Sequence, residues 1–176
     1  MIALTHIEAS EWPRYSLNAG ASLEERVGTF KVEVRIPDLK HELRVFTADI
    51  MTVLDERYNE TQKMIHLTEW TLGTEEFDQV GWKACELMRR GYSELRSLEV
   101  APAQVFRFDE SIEARAFLLQ VFLNQWSAKL FPLTAPFCIS IDEEHLWFEL
   151  ENAETVDYVI GKLRRWNPRR ATQEVQ

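Results

Sequence analysis

The sequence predicts a single α+β domain: a mixed β-sheet of about five strands covered by about four helices, ending in a β-hairpin plus a C-terminal helix. Three observations predict this class. Segments with the strand period and segments with the helix period follow one another along the chain. With 176 residues and 45% hydrophobic content, the chain can bury one sizeable core. Six Gly and six Pro leave no long linker. We expect one domain over residues 1–167 and a short, basic, mobile tail over 168–176.

The N-terminal third predicts two strands and a helix. A short strand is expected within residues 2–7. Over residues 30–36 apolar side chains alternate with charged ones, which is the period of a half-buried strand. Asp38 then begins a helix over residues 39–58, because its carboxylate can accept hydrogen bonds from the free amides of the first turn.

The middle third predicts two strands and two helices. Residues 64–72 carry apolar groups on both faces, as a central strand does. A helix begins at Thr74 and ends before Gly91, with arginines near its carbonyl end. A short strand over 105–108 precedes a helix over 111–130, whose apolar residues occupy most of its circumference and predict deep burial.

The C-terminal third predicts the hairpin and the last helix. Apolar residues alternate over 137–141 and again over 146–151, and a short polar connection joins the two runs. A helix over 153–166 follows and stops at Pro168, because the residue before a proline is driven out of helical geometry.

The net charge of −9 is unevenly distributed. Residues 162–176 hold five basic groups against one acidic group, whereas no Lys or Arg lies between Lys129 and Lys162. Seven carboxylates lie in that interval. An acidic body disfavours nucleic acid, whose binding rests on neutralising phosphates. The C-terminal tail is the exception.

The cellular compartment of the protein is predicted from two patterns that the sequence lacks, a membrane span and a secretory signal. No run of eighteen apolar residues occurs, and the N-terminus has no secretory signal pattern. Cys85 and Cys138 form no CxxC motif and are expected to be reduced, half-buried thiols. We therefore expect a cytoplasmic protein with no membrane association. The alternative is a secreted protein whose signal has been removed.

The acidic hairpin is the first candidate site. An indole among carboxylates is typical of protein-contact surfaces. The alternatives are a solvated acidic turn with a covered tryptophan, or a divalent-cation site, although the turn lacks the glycine and the spacing of a calcium loop. We predict no metal. The candidate partner-binding residues are Asp142, Glu143, Glu144, Trp147, Glu149 and Glu151.

A basic segment near the C-terminus is the second candidate, since arginines around an aromatic ring can contact phosphate and stack on a base. The alternatives are cations that complement the carbonyl end of the helix, or contact with the acidic stretch of the same chain or of a second copy. The candidate contacts for nucleic acid or an acidic partner are Arg164, Arg165, Trp166, Arg169 and Arg170.

No catalytic signature occurs in the chain. The metalloprotease, serine-hydrolase, phosphate-loop and dinucleotide-binding motifs are all missing. His66 could act as a general base near Glu69 or Glu76, but no nucleophile accompanies it. We assign no catalytic residue and no cofactor.

These observations favour a non-catalytic intracellular protein-binding factor. It would be an inhibitor or immunity-type partner, an adaptor or a chaperone that presents an acidic, Trp-containing surface to a basic protein. One alternative is an enzyme with a non-local His/carboxylate or metal site. The other is a nucleic-acid-associated factor that uses the C-terminal arginine tail. The sequence predicts no oligomeric state.

Overall fold

The structure, a computed structural model, describes residues 1–16, 30–57, 62–70, 79–132 and 137–171. The strands there are β1 (Ile2–Leu4), β2 (Phe30–Arg35), β3 (Lys63–Glu69), β4 (Ala103–Phe106), β5 (Ser127–Pro132), β6 (Cys138–Ile141), β7 (His145–Leu150) and β8 (Arg169–Ala171). The α-helices are α1 (His6–Ser16), α2 (Lys40–Arg57), α3 (Gln79–Arg90), α4 (Ser111–Leu123) and α5 (Ala153–Lys162). Two 3₁₀ turns occupy Phe108–Glu110 and Arg164–Trp166.

The eight strands form one sheet in the order β1-β4-β3-β5-β6-β7-β2-β8. Each neighbouring pair of described strands runs antiparallel. The predicted α+β class is confirmed. The finer prediction of a mixed sheet of about five strands with four helices is corrected to an antiparallel sheet of eight strands with five helices, counted over the described residues.

The core lies between one face of this sheet and helices α2–α5. Alternation along β7 sends Leu146, Phe148 and Leu150 to that face, where all three are fully buried, and Val32 and Val34 of β2 join them. Burying one such side chain contributes about 1.5–3 kcal/mol. We call the opposite side of the sheet the open face.

Helix α1 packs on the open face, at the end of the sheet that carries β1, β4 and β3. Ala9 lies there in a small apolar cluster with Met64, Ala103, Val105, Phe131 and Cys138. A capping box begins the helix: the amide of Glu8 donates to Thr5 Oγ1 at 3.2 Å, and the amide of Thr5 donates to Glu8 Oε2 at 2.7 Å. The sequence interpretation placed no helix before residue 39.

The predicted helix over 111–130 is too long. Helix α4 ends at Leu123, Gln125 takes a left-handed φ of 54°, and β5 follows. Trp126, Ala128 and Leu130 are buried while Lys129 is exposed. This alternation has the period of a strand. The dense apolar content of the segment hides that period in the sequence.

The C-terminal segment joins the sheet. Residues Arg169–Ala171 form β8 and pair with Lys31–Glu33 of β2, where a mobile tail over 168–176 was expected. Residues 172–176 lie outside the described residues, as does the predicted helix start at Thr74. None of the helices in the described ranges has the length and apolar character needed to cross a membrane.

Candidate functional site

The carboxylate of Asp142 fixes the turn between β6 and β7. Its Oδ1 accepts the backbone amides of Glu144 at 3.0 Å and of His145 at 2.6 Å, and the amide of Asp142 donates to the carbonyl of His145 at 3.0 Å. An Asp side chain that closes a turn in this way removes the need for glycine. Asp142 therefore shapes the site, while Glu143 and Glu144 remain exposed.

This turn borders an acidic groove of about 340 Å³. The groove collects residues from the ends of three strands and from the turn. Its lining residues are Glu69, Ser127, Asp142, Glu143, Glu144 and His145. Within the described part of the chain, neither Glu143 nor Glu144 forms an ion pair. The groove therefore keeps a negative field that no cation of the described chain neutralises at close range.

Trp147 lies on the open face, one step along β7 from the groove. Its register neighbours are Ser140 of β6 and Glu33 of β2, and its side chain is half-buried. The ring centroid of His145 is 5.6 Å away, and His145 Nε2 lies 3.4 Å from Glu33 Oε1. The histidine thus connects the groove to the indole.

The six predicted partner-binding residues do not form one cluster. Glu149 and Glu151 lie at the other end of β7, roughly 15–25 Å from the turn at 3.3 Å per residue. Glu149 is also paired with Lys31, at 3.7 Å. Trp147 lies between the two acidic ends, three residues from Glu144 and two residues from Glu149 on the same face of β7.

The open face carries charges of both signs. Strand register places Glu33 opposite Arg169, and Lys31 opposite Glu149. Lys129 of β5 is exposed between His66 and Ser140. The purely negative charge expected of this surface is therefore confined to the groove and does not extend across the whole open face.

The basic C-terminal segment is anchored to the body of the protein. Arg165 Nε and Trp166 Nε1 both donate to Asp49 Oδ2, at 2.6 and 2.7 Å, and Arg170 is bonded to Asp157. Within the described residues, Arg164 and Arg169 have no ion pair. Contact of this segment with nucleic acid or an acidic partner stays a prediction. Arg164 and Arg169 are the best candidates for it.

A pair of histidines on the open face was not anticipated. His66 was considered beside Glu69 or Glu76, of which Glu76 lies outside the described residues. Its partner is His6 of α1, with Nδ1 of His6 2.8 Å from Nε2 of His66. Burial, then the neighbouring His6 and Lys129, lower the pKa of His66 to about 4. No sequence signal links two histidines sixty residues apart.

Both cysteines are buried in the described part of the chain. Burial raises the pKa of Cys85 and of Cys138 to about 12, so neither forms a thiolate at neutral pH. No three His, Cys, Asp or Glu side chains among the described residues are placed to hold a metal ion together.

Comparison with protein-family models, with curated proteins and with solved structures gives no match for this chain. The site is therefore interpreted from its own geometry.

Proposed function

We propose that this protein is a non-catalytic intracellular binding factor that holds a basic segment of a partner protein in the acidic groove, with Trp147 as the apolar anchor beside it. It would act as an inhibitor or immunity-type partner, an adaptor or a chaperone. The observation that carries the proposal is the groove: Glu143 and Glu144 are exposed there without an ion pair in the described chain, next to an indole.

Electrostatics and geometry support this role together. A concave acidic surface attracts cations and accelerates association with a basic partner. The groove suits a lysine or arginine side chain, since a carboxylate accepts charge-assisted hydrogen bonds from either. Tryptophan is enriched among residues whose truncation costs an interface the most. Trp147 lies on a strand that is paired on both sides, with β6 and with β2.

The test is capture of partners from native lysate on the immobilised protein, at low and at raised salt, followed by affinity measurement with the captured protein. Attraction between exposed charges is screened within about 10 Å at 0.1 M salt, so we expect affinity to fall at least about tenfold when salt is raised from about 0.05 to about 0.3 M. A partner bound equally well at both salt concentrations contradicts the proposal.

Matched variants locate the contact. Removing both exposed charges with Glu143→Gln and Glu144→Gln should weaken binding about tenfold, ~1.4 kcal/mol, and flatten its salt dependence. Trp147→Ala should weaken binding by about 2 kcal/mol or more. The control pair Glu11→Gln and Glu99→Gln makes the same charge change at exposed positions elsewhere and should leave the affinity unchanged.

The groove also favours a second candidate, an enzyme with a His/carboxylate site, because His145 shares the groove with several carboxylates. A histidine beside acids can transfer protons near neutral pH. Turnover of a model ester, phosphate or glycoside that His145→Gln abolishes and His41→Gln preserves would favour this candidate. Full turnover in His145→Gln would remove it.

A further inference from the structure

The attachment of α1 to the open face depends on an unusual contact. His6 is the first residue of α1 and is exposed, whereas His66 is half-buried in β3, and their facing nitrogens are 2.8 Å apart. One proton between two imidazoles makes a hydrogen bond, with one ring donating and the other accepting. The first proton added to this neutral pair keeps the bond, because an imidazolium can donate to a neutral imidazole. The next added proton makes both facing nitrogens donors, which removes the bond and places two cations in contact.

The described side chains of α1, residues 6–11, make a small apolar contact with the sheet. Ala9 packs on the cluster of Met64, Ala103, Val105, Phe131 and Cys138, while Ile7 and Ser10 beside it are exposed. His6 also stacks on Trp70, with ring centroids 6.2 Å apart and planes within 8°. A methyl group and a stacked ring give limited area, so the histidine pair supplies a large part of the attachment made by the described side chains of residues 6–11.

We propose that α1 is an acid-sensitive clasp: protonation of the His6–His66 pair releases α1 from the open face and uncovers the apolar cluster beneath it. Neither His6 nor His66 lines the acidic groove, and the inference does not depend on the proposed partner.

The charged surroundings favour release at low pH. His66 faces His6 from α1 and Lys129 from β5, and no carboxylate among the described residues stabilises a cation on its ring. Burial, His6 and Lys129 hold the pKa of His66 at about 4 with α1 attached. Release removes His6 and the burial that α1 supplies, so the pKa of His66 rises towards its ordinary 6.5, while Lys129 still opposes the charge. The released state therefore binds the proton more readily, and the attachment is complete above pH 6.5 and is lost as pH falls towards 4.

Glu8 is the other titrating group at this end of α1. Its carboxylate caps the helix, and the Thr5 hydrogen bonds lower its pKa below 4.5. Arg96 Nη1 lies 3.8 Å from it. Protonation of Glu8, which removes the cap, begins at a lower pH than protonation of a released His66. The two protonations can therefore be distinguished by the pH at which each occurs.

The experiment is hydrogen exchange of the full chain at about pH 7 and about pH 4.5, with the intrinsic rate corrected at each pH. We expect protection of the α1 amides to fall between these values, by up to roughly 50-fold, the limit set by a pKa of about 4 with α1 attached and 6.5 after release. The amides of β5 and β6 should keep their protection. Unchanged protection of α1 overturns the proposal, and so does an equal loss across β5 and β6, which would indicate global unfolding.

Variants assign the effect to the pair. His66→Gln keeps a group that can hydrogen-bond to His6 but does not titrate, so the acid-dependent loss should shrink at least tenfold while Glu8 still titrates normally. His41→Gln changes an exposed histidine on α2 in the same way and should behave as wild type. A full acid response in His66→Gln overturns the proposal.

A thiol reagent that reacts in weak acid gives a second measurement. Cys138 belongs to the cluster under Ala9 and is 2% exposed, whereas Cys85 lies in the main core on the other side of the sheet. Lowering the pH should open Cys138 to labelling and leave Cys85 protected. Labelling of both at the same rate would contradict local release.

Discussion

At the scale of single residues, Arg89 has the least favourable environment. Its side chain is 1% exposed, and none of its three guanidinium nitrogens has a hydrogen-bond partner among the residues that the structure describes. Burial lowers its pKa, and the nearby carboxylate of Glu94 is taken by Arg96 at 2.8 and 3.0 Å. A buried charge without a hydrogen-bonded partner is strongly unfavourable.

We therefore expect Arg89→Met to stabilise the protein. Methionine fills a similar volume without the desolvated charge, and such replacements gain about 1–3 kcal/mol. Urea denaturation measures the free energy of unfolding. Arg44→Met, at an exposed position of α2, should change it by less than about 0.5 kcal/mol. A large loss of stability in Arg89→Met would show that the guanidinium has a favourable interaction.

The residues of the site were only partly open to prediction. Asp142, Glu143 and Glu144 are contiguous, so the acidity of their turn follows from local sequence. Glu69 and Ser127 reach the groove only because β3 pairs with β5. The same limit applies to His6 and His66, whose contact depends on where α1 packs. Local chemistry was predictable, whereas contacts between distant elements were not.

At the scale of elements, prediction succeeded where one period dominated. The alternation of β6 and β7 placed the hairpin within a residue or two of its observed bounds. It failed at β5, because the buried residues of Trp126–Leu130 continue the apolar run of α4. It failed at β8 for another reason: three residues with two arginines carry no strand signal, and pairing with β2 alone makes them a strand.

The contact between α3 and α4 gives a test at this scale. A Cβ added to Gly81 would lie 2.1 Å from the side-chain amide of Asn124, whose Nδ2 donates to the carbonyl of Gln120 at 2.7 Å. Alanine gains up to about 1 kcal/mol in helix propensity, but overpacking costs about 1–3 kcal/mol. We expect Gly81→Ala to lower the melting temperature.

The double variant separates the two effects. Adding Asn124→Ala to Gly81→Ala removes the clash, so the double variant should be more stable than the sum of the single changes predicts. Strictly additive changes in the free energy of unfolding would show that Gly81 and Asn124 do not interact.

At the scale of the whole molecule, the basic C-terminal segment acts as a structural part. The ring of Trp166 meets Phe46 of α2 edge-on, with centroids 5.2 Å apart, and Arg170 is bonded to Asp157 of α5. We expect deletion of residues 164–176 to cost about 3 kcal/mol or more, mostly from the lost aromatic packing. A dispensable tail would leave the unfolding midpoint unchanged.

A conservative change distinguishes packing from hydrogen bonding in that segment. Trp166→Phe keeps the ring against Phe46 but loses the bond to Asp49, so we expect a loss of only about 1 kcal/mol. Deletion of residues 164–176 also removes the candidate nucleic-acid contacts, so a loss of nucleic-acid retention in that variant is informative only if the shortened chain still folds.

The order of strands in the sheet also determines when each strand can pair during synthesis. β2 pairs with β7 and β8, whose residues come more than a hundred positions later, so Val32 and Val34 leave the ribosome long before either neighbouring strand exists. At about 5–20 residues per second, that strand waits roughly 5–25 s with its apolar side chains in water. The delay exposes the nascent chain to aggregation and to chaperones, and it ends only when the acidic hairpin, which can close locally, has been synthesised.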